Sequence, residues 1–566
     1  ALDAATTGGN NTAIGKDALT ASTTGYRNVA VGIRAAKTIT TGNSNVAIGY
    51  ECLEFTTTGS QNVAVGHQAL EANTTADGNV AIGNAAMVSN TTGNNNIAIG
   101  AMALDANTTG SQSVAIGSNA LGSQNADVKN VAVGYRALQG TTSGTSNVGM
   151  GRDVLYTNTT GSYNIAIGND ALGNNTTANN NVAVGYNCLA ANTTGAGSVA
   201  LGYEALVANT TGSGCVAIGF RALKTSTTNT DNVAVGYEAL EACTSGKNVA
   251  VGWNALKADS GAVYCTALGF DALAHQTGTR SHNTAVGNRA MQAVVTANSN
   301  TAVGSECMYS STTGEQNAAV GKGALYTNTT GSNNVAIGKD ALYLNTTGST
   351  NIAVGRSALA QNTTASNNVA IGDNSLNANT TGGENTALGH QSLQTAVTDN
   401  ANTAIGYRAL ESANGAGYCT AVGSRSLEDT TTGDNNTAVG YNALHANTEG
   451  TNSVADGYGA LTAQTTGGIN AAVGYQAMAA CTTGYYSVAV GAYAGDNMTT
   501  GHSNSYIGDN AGNTHATGYG CVVVGRASNT SSTSVNLEYI FGQSLTGKGS
   551  QTFFAGGNSA AYNEAN

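Results

Sequence analysis

Residues with chemistry to offer are sparse in this chain, and most of them stand alone. Seven histidines, His67, His275, His282, His390, His445, His502 and His515, are scattered, and no pair has zinc-ligand spacing. They read as solvated surface residues. Eleven Asn-Thr-Thr triplets, those at Asn73, Asn107, Asn192 and Asn345 among them, match the glycosylation-acceptor pattern. Asn and Thr so placed read first as turn residues, bonding to neighbouring backbone. The one dense feature is a series of rings, Tyr186, Tyr203, Phe220, Tyr237, Trp253 and Phe270, each 16 or 17 residues from the next. Such rings either stack on one another or offer a strip to sugars and apolar receptor groups. These six are the candidate ligand contacts.

Their interval belongs to the whole chain. A glycine returns 32 times, from Gly15 and Gly32 to Gly525 and Gly542, and 29 of the 31 intervals are 17 residues. Gly236 to Gly252 is 16 and Gly269 to Gly287 is 18. The pattern Asn-Val-Ala-Ile-Gly-x-x-Ala-Leu-x-x-Asn-Thr-Thr-Gly is nearly complete from Asn334 to Gly348. A unit this short cannot bury a core alone, so it reads as one coil of a solenoid. At strand spacing, 32 coils would span about 150 Å. Coils so uniform leave no room for the long loops with paired carboxylates that a glycan-cleaving groove would need. No catalytic residue, metal or cofactor is expected.

Asn-Val-Ala-Ile has the alternation of a strand. The β-branched face is expected to point into the coil, and the Ala and Asn face toward partner chains. The column of Leu four residues after each glycine should complete the core, and the arm that carries it reads as a second, bent strand or, alternatively, a single helical turn. On this reading Val29, Val31, Leu53, Leu70, Val131 and Leu138 are buried. Asp456, in a column otherwise of Ile, Val, Leu and Met, would be a carboxylate in a dry core, which is costly unless paired or hydrated.

Composition agrees with stacked coils. Proline, which would remove a ladder hydrogen bond, is absent, and only 9% of residues are charged while 41% are hydrophobic. A net charge of −12 with 20 Lys and Arg in total argues against nucleic acid, and no apolar run approaches a membrane span. The nine cysteines fall in three repeat columns, never in adjacent coils of one column. Free thiols in a chain that folds in a reducing compartment are expected. Residues 1–490 hold the regular repeat, 491–542 variant coils, and 543–566 a tail. Ala1 and Leu2 lie 17 residues before Ala18 and Leu19, so the chain opens within a coil and upstream residues are expected.

The run Ser113 to Gly117, Ser-Val-Ala-Ile-Gly, and its many Asn-Val-Ala-Ile-Gly variants resemble the head repeats of YadA-type trimeric autotransporter adhesins. That resemblance implies a left-handed parallel β-roll, three chains around one axis, and binding to host-surface ligands. The longer unit, with Gly-x-x-Ala-Leu and Asn-Thr-Thr-Gly, is similar to repeats of bacteriophage tail fibres. The stretch from Phe541 to Asn566 looks like the segment before an endosialidase-type intramolecular chaperone. A homotrimeric all-β fibre of the virion follows as the expectation, a rigid spacer that attaches to a host-surface glycan or protein and joins other tail proteins. A trimeric adhesin of the bacterial surface is the alternative, and an ice-binding solenoid a third.

Overall fold

The computed structural model describes residues 7–279, 281–557 and 560–564. Ala1 and Leu2, and Ala565 and Asn566 at the other end, lie outside them. The described residues hold no helix. Short strands recur once per coil in two compact units, residues 1–282 and 283–566. The first unit contains β1 (Thr12–Ile14) to β16 (Thr266–Leu268), and the second β17 (Thr284–Val286) to β32 (Tyr539–Gly542). Within each unit neighbouring strands pair in parallel at equivalent repeat positions, as Val29 with Val46 and Val335 with Ile352. Each unit is therefore a parallel β-solenoid. Beyond β32, β33 (Phe553–Gly557) continues the parallel sheet and β34 (Ala560–Glu564) folds back antiparallel to it.

The arm after each glycine is not the bent strand expected. Its backbone alternates through positive φ, with Gly338 at 137°, Asp340 at 57° and Leu342 at 50°. Left-handed conformations cost a non-glycine residue about 1–2 kcal/mol. Here they aim the peptide groups at the next coil. Leu342 N–H donates to Ala358 O at 3.0 Å and Leu344 N–H to Ala360 O at 2.9 Å. A backbone group buried without a partner would be costly, so this coil-to-coil ladder overrides local preference.

The two faces of the strand are the reverse of the sequence expectation. Ala336 and Asn334 are fully buried, whereas Ile337 is 43% exposed and Val335 half-buried. Likewise Leu53, Leu70 and Leu138 are buried, but Val29, Val31 and Val131 are half-buried on the outer face. The reason is the thinness of the coil. Leu and Ala from the arm fill it, leaving room across from them only for a methyl group. Where Gly149 takes the Ala position, an added Cβ would already lie 3.0 Å from Leu138 Cδ1. The close surface implied by the small Ala is thus the coil's own opposite arm, not a partner chain.

The Asn column is interior for the same reason, and its amides are used up within the chain. Asn334 Oδ1 accepts from the Asn351 N–H at 2.9 Å, while its Nδ2 donates to Gly348 O at 2.8 Å. In the Asn-Thr-Thr turn, Asn345 Nδ2 donates to Asn328 Oδ1 at 2.7 Å and to Gly348 O at 2.9 Å. The inversion also resolves Asp456. Its column faces outward, so the carboxylate is exposed between Val439 and Val473 rather than desolvated in a core.

Near the end of the second unit the core is rebuilt around one ring. Tyr506, in β30 (Ser505–Ile507), takes the Ala position and is fully buried. The Leu column gives way to Gly495 and Gly512. A Cβ on Gly495 would lie 2.5 Å from Tyr506 Cδ2, and one on Gly512 3.0 Å from its Cγ. Tyr506 Oη bonds to His515 Nδ1, and His515 Nε2 lies 2.9 Å from Val535 O. His515 is therefore buried, not solvated, and burial lowers its pKa. We expect Tyr506→Ala to cost about 3–5 kcal/mol, as for other large aromatic truncations. Gly512→Leu, destabilising alone, should recover part of that loss in the Tyr506→Ala background. Urea unfolding of the four proteins tests this, and strictly additive effects would mean that ring and glycines do not share one space.

Candidate functional site

Each ring of the candidate series follows a glycine whose φ lies between 132° and 139°, from Gly185 to Gly269. This turn carries the chain out of the strand, and the next side chain leaves the coil. Coil stacking then sets the rings above one another. Centroids are 5.3 Å apart for Tyr186 and Tyr203, 5.3 Å for Tyr203 and Phe220, 4.9 Å for Phe220 and Tyr237, and 4.1 Å for Tyr237 and Trp253. The planes are within 14° of parallel. Phe270 occupies the same position in the following coil.

The structure thus gathers five of the six predicted residues, Tyr186 to Trp253, into one stacked ladder on the first unit, with Phe270 in the same column. Ring faces within it cover one another, so edges and phenol groups are what it presents. It stays open to solvent, with Trp253 50% and Tyr186 45% exposed. Beside it runs a charged column in which Arg221 pairs with Glu204 at 3.1 Å and lies over the Phe220 ring at 4.9 Å. The Glu204 carboxylate also holds the Tyr203 phenol above its ordinary pKa. An apolar rail edged by hydroxyls and fixed charges can contact a flat, polar-edged ligand such as a sugar.

Sequence reasoning missed further ladders, although the same interval marks them. Tyr309, Tyr326 and Tyr343 stack at 5.1 and 4.9 Å, and His502 lies between Tyr485 and Tyr519 at 4.8 and 5.1 Å. His67 stacks on Tyr50, His282 on Tyr264 and His390 on Tyr407. His445 sits 3.1 Å from Glu428 and 3.6 Å from Asp429, and His275 is exposed. Glu51, Glu54 and Glu71 approach closely enough to share an ion. Arg34 already bridges Glu51 and Glu54.

All nine cysteines are free and buried. Burial pushes the thiols of Cys52, Cys243, Cys307 and Cys481 up to about 12 and that of Cys419 up to about 11. The thiolate is the reactive form, so the folded protein is expected to resist alkylation at pH 8 and to label only on unfolding. Mass spectrometry after iodoacetamide, with and without urea, checks this. Rapid native labelling of several cysteines would contradict the packing. The turn asparagines Asn73, Asn107, Asn192 and Asn345 are buried as well, so folding removes them as glycan acceptors.

No protein-family model matches the chain, and no curated protein matches it. No helix among the described residues is long and apolar enough to cross a membrane. What defines the molecule is a parallel β-solenoid repeat with an exposed aromatic ladder.

Proposed function

We propose that this protein is a structural fibre, a homotrimeric tail fibre of a bacteriophage virion that acts as a rigid spacer and in host-surface attachment. One observation carries the reading. The column just before each glycine is apolar in 31 of 32 coils, Asp456 being the exception, and it faces outward. In the first unit Ile82, Ile116, Met150 and Leu201 are 36–44% exposed, and in the second Val320, Ile337, Leu388 and Val490 are 41–43% exposed. Soluble monomers rarely leave apolar strips of this extent in water.

The occupant of that strip must repeat at the coil spacing over many coils. A further copy of the same chain meets this requirement by construction. The outer Val and Ile, not the inner Ala and Asn, are therefore the proposed trimer contact. Nine thiols kept reduced suit assembly in a reducing cytoplasm, which favours the virion over the bacterial surface adhesin. Other tail proteins and a host-surface glycan or protein are the remaining proposed partners. Host contact is assigned to the ladder Tyr186, Tyr203, Phe220, Tyr237, Trp253 and Phe270. Replacing Tyr203, Tyr237 and Trp253 together by Ser should reduce adsorption to host cells by about 10-fold or more, given how aromatic anchors concentrate binding energy. Unchanged adsorption by a folded variant would move the receptor contact elsewhere.

A further inference from the structure

We propose that the second unit carries a separate saccharide pocket, centred on Gly323, that takes one neutral hexopyranose residue. It depends on neither the trimer contact nor the Tyr186 to Phe270 ladder.

The pocket arises from a missing side chain. The position two residues after the repeat glycine holds a side chain in every coil except two, where Gly323 and Gly459 stand. At Gly323 the gap opens into a surface cavity of about 410 Å³, within the ~300–1,000 Å³ usual for small-molecule sites. A Cβ on Gly323 would meet Asp340 Oδ1 at 2.7 Å and Tyr343 Cε2 at 3.3 Å. An acid and a ring therefore wall the space that the side chain vacates.

Tyr343 is also the last ring of its ladder. Tyr326 covers one face at 4.9 Å, and the equivalent position of the next coil is Ala360, which has no ring to cover the other. An aromatic surface beside a cavity suits the apolar C–H face of a pyranose. The polar lining suits its hydroxyls. Asp340 and Glu306 offer carboxylate acceptors, Lys322 and Lys339 ammonium donors, and Gln361 an amide that does both. Lys339 lies 3.5 Å from Asp340, and the two acids balance the two lysines. With no net charge to attract an ion, the pocket favours a neutral polyol over an acidic or amino sugar.

The column supplies a conservative way to close the pocket. Gly323 has φ 66°, while Gln68, Gln391 and Gln476 occupy the same column at 55°, 58° and 50°, so Gln fits the backbone here. The movable Asp340 side chain must shift, and the Tyr343 ring must give by a few tenths of an ångström. Saturation-transfer NMR on the full chain, with methyl glucoside, mannoside and galactoside as neutral probes and methyl glucuronide as the acidic one, tests the proposal. At least one neutral glycoside should bind, and Gly323→Gln and Tyr343→Ser should each weaken it by about 10-fold or more, with melting curves verifying the fold. Gly459→Gln, at the other glycine of the same column, should bind as the parent does. The proposal is overturned if no neutral glycoside binds, if the glucuronide alone binds, or if binding survives both pocket variants.

Discussion

Gly355→Ala is expected to destabilise the second unit by more than about 3 kcal/mol, a large effect for one added methyl group. Gly355 has φ 136°, a region that costs a non-glycine residue about 1–3 kcal/mol. Strain is only part of the cost. The added Cβ would lie 2.6 Å from the carbonyl carbon of Gly372 in the next coil. Those atoms are backbone and cannot swing aside, so the coils must separate. Separation would weaken Gly372 N–H to Val354 O and Ile352 N–H to Asn368 O, both 2.8 Å. Gly459→Ala is the control. Its φ of 62° is shared by side-chain-bearing residues of the same column, and an added Cβ there meets only Gln476 Cγ at 3.5 Å. That change should cost only the ordinary left-handed penalty of about 1–2 kcal/mol. Denaturant unfolding measures both, and equal losses would remove the close-approach explanation.

The double substitution Ile337→Asp and Ile371→Asp is expected to dissociate the assembly while leaving the coils folded. Both side chains face outward, 43% and 37% exposed, so in a single chain the carboxylates stay hydrated. The intervening Val354 coil keeps the two new charges apart. In the proposed trimer the same carboxylates would be buried without partners, at several kcal/mol each. Association should weaken by several orders of magnitude with little change in the circular dichroism of one chain. The natural Asp456 is a single such charge, and Asp456→Val should tighten association. Sedimentation velocity reads both variants. A monomeric parent would remove the trimer, and a double variant that still associates would place the contact on another face.

The aromatic ladder was legible because position in the repeat fixes position in space. Once Gly185, Gly202 and Gly219 stack, Tyr186, Tyr203 and Phe220 must stack also. The inner and outer faces were misread because β-branched residues ordinarily mark a core. A corrective signal was present. The column of Val29 also holds Thr266, Thr284, Thr301, Thr386 and Thr403, and a core column would not accept so many hydroxyls. The Ala column admits almost nothing larger until Tyr506, where glycines answer it.

By itself the sequence determined the repeat, the number and order of coils, the parallel register and the columns in which rings, thiols and amides fall. Periodicity carries all of these, since residues one period apart meet equivalent surroundings. Tertiary structure alone decided the left-handed path of the Leu arm, the burial of His515 and the cavity beside Gly323. Each of these depends on the distance between two arms of one coil, or on a side chain one coil away. That distance is set by packing across the coil, and no spacing along the chain encodes it directly.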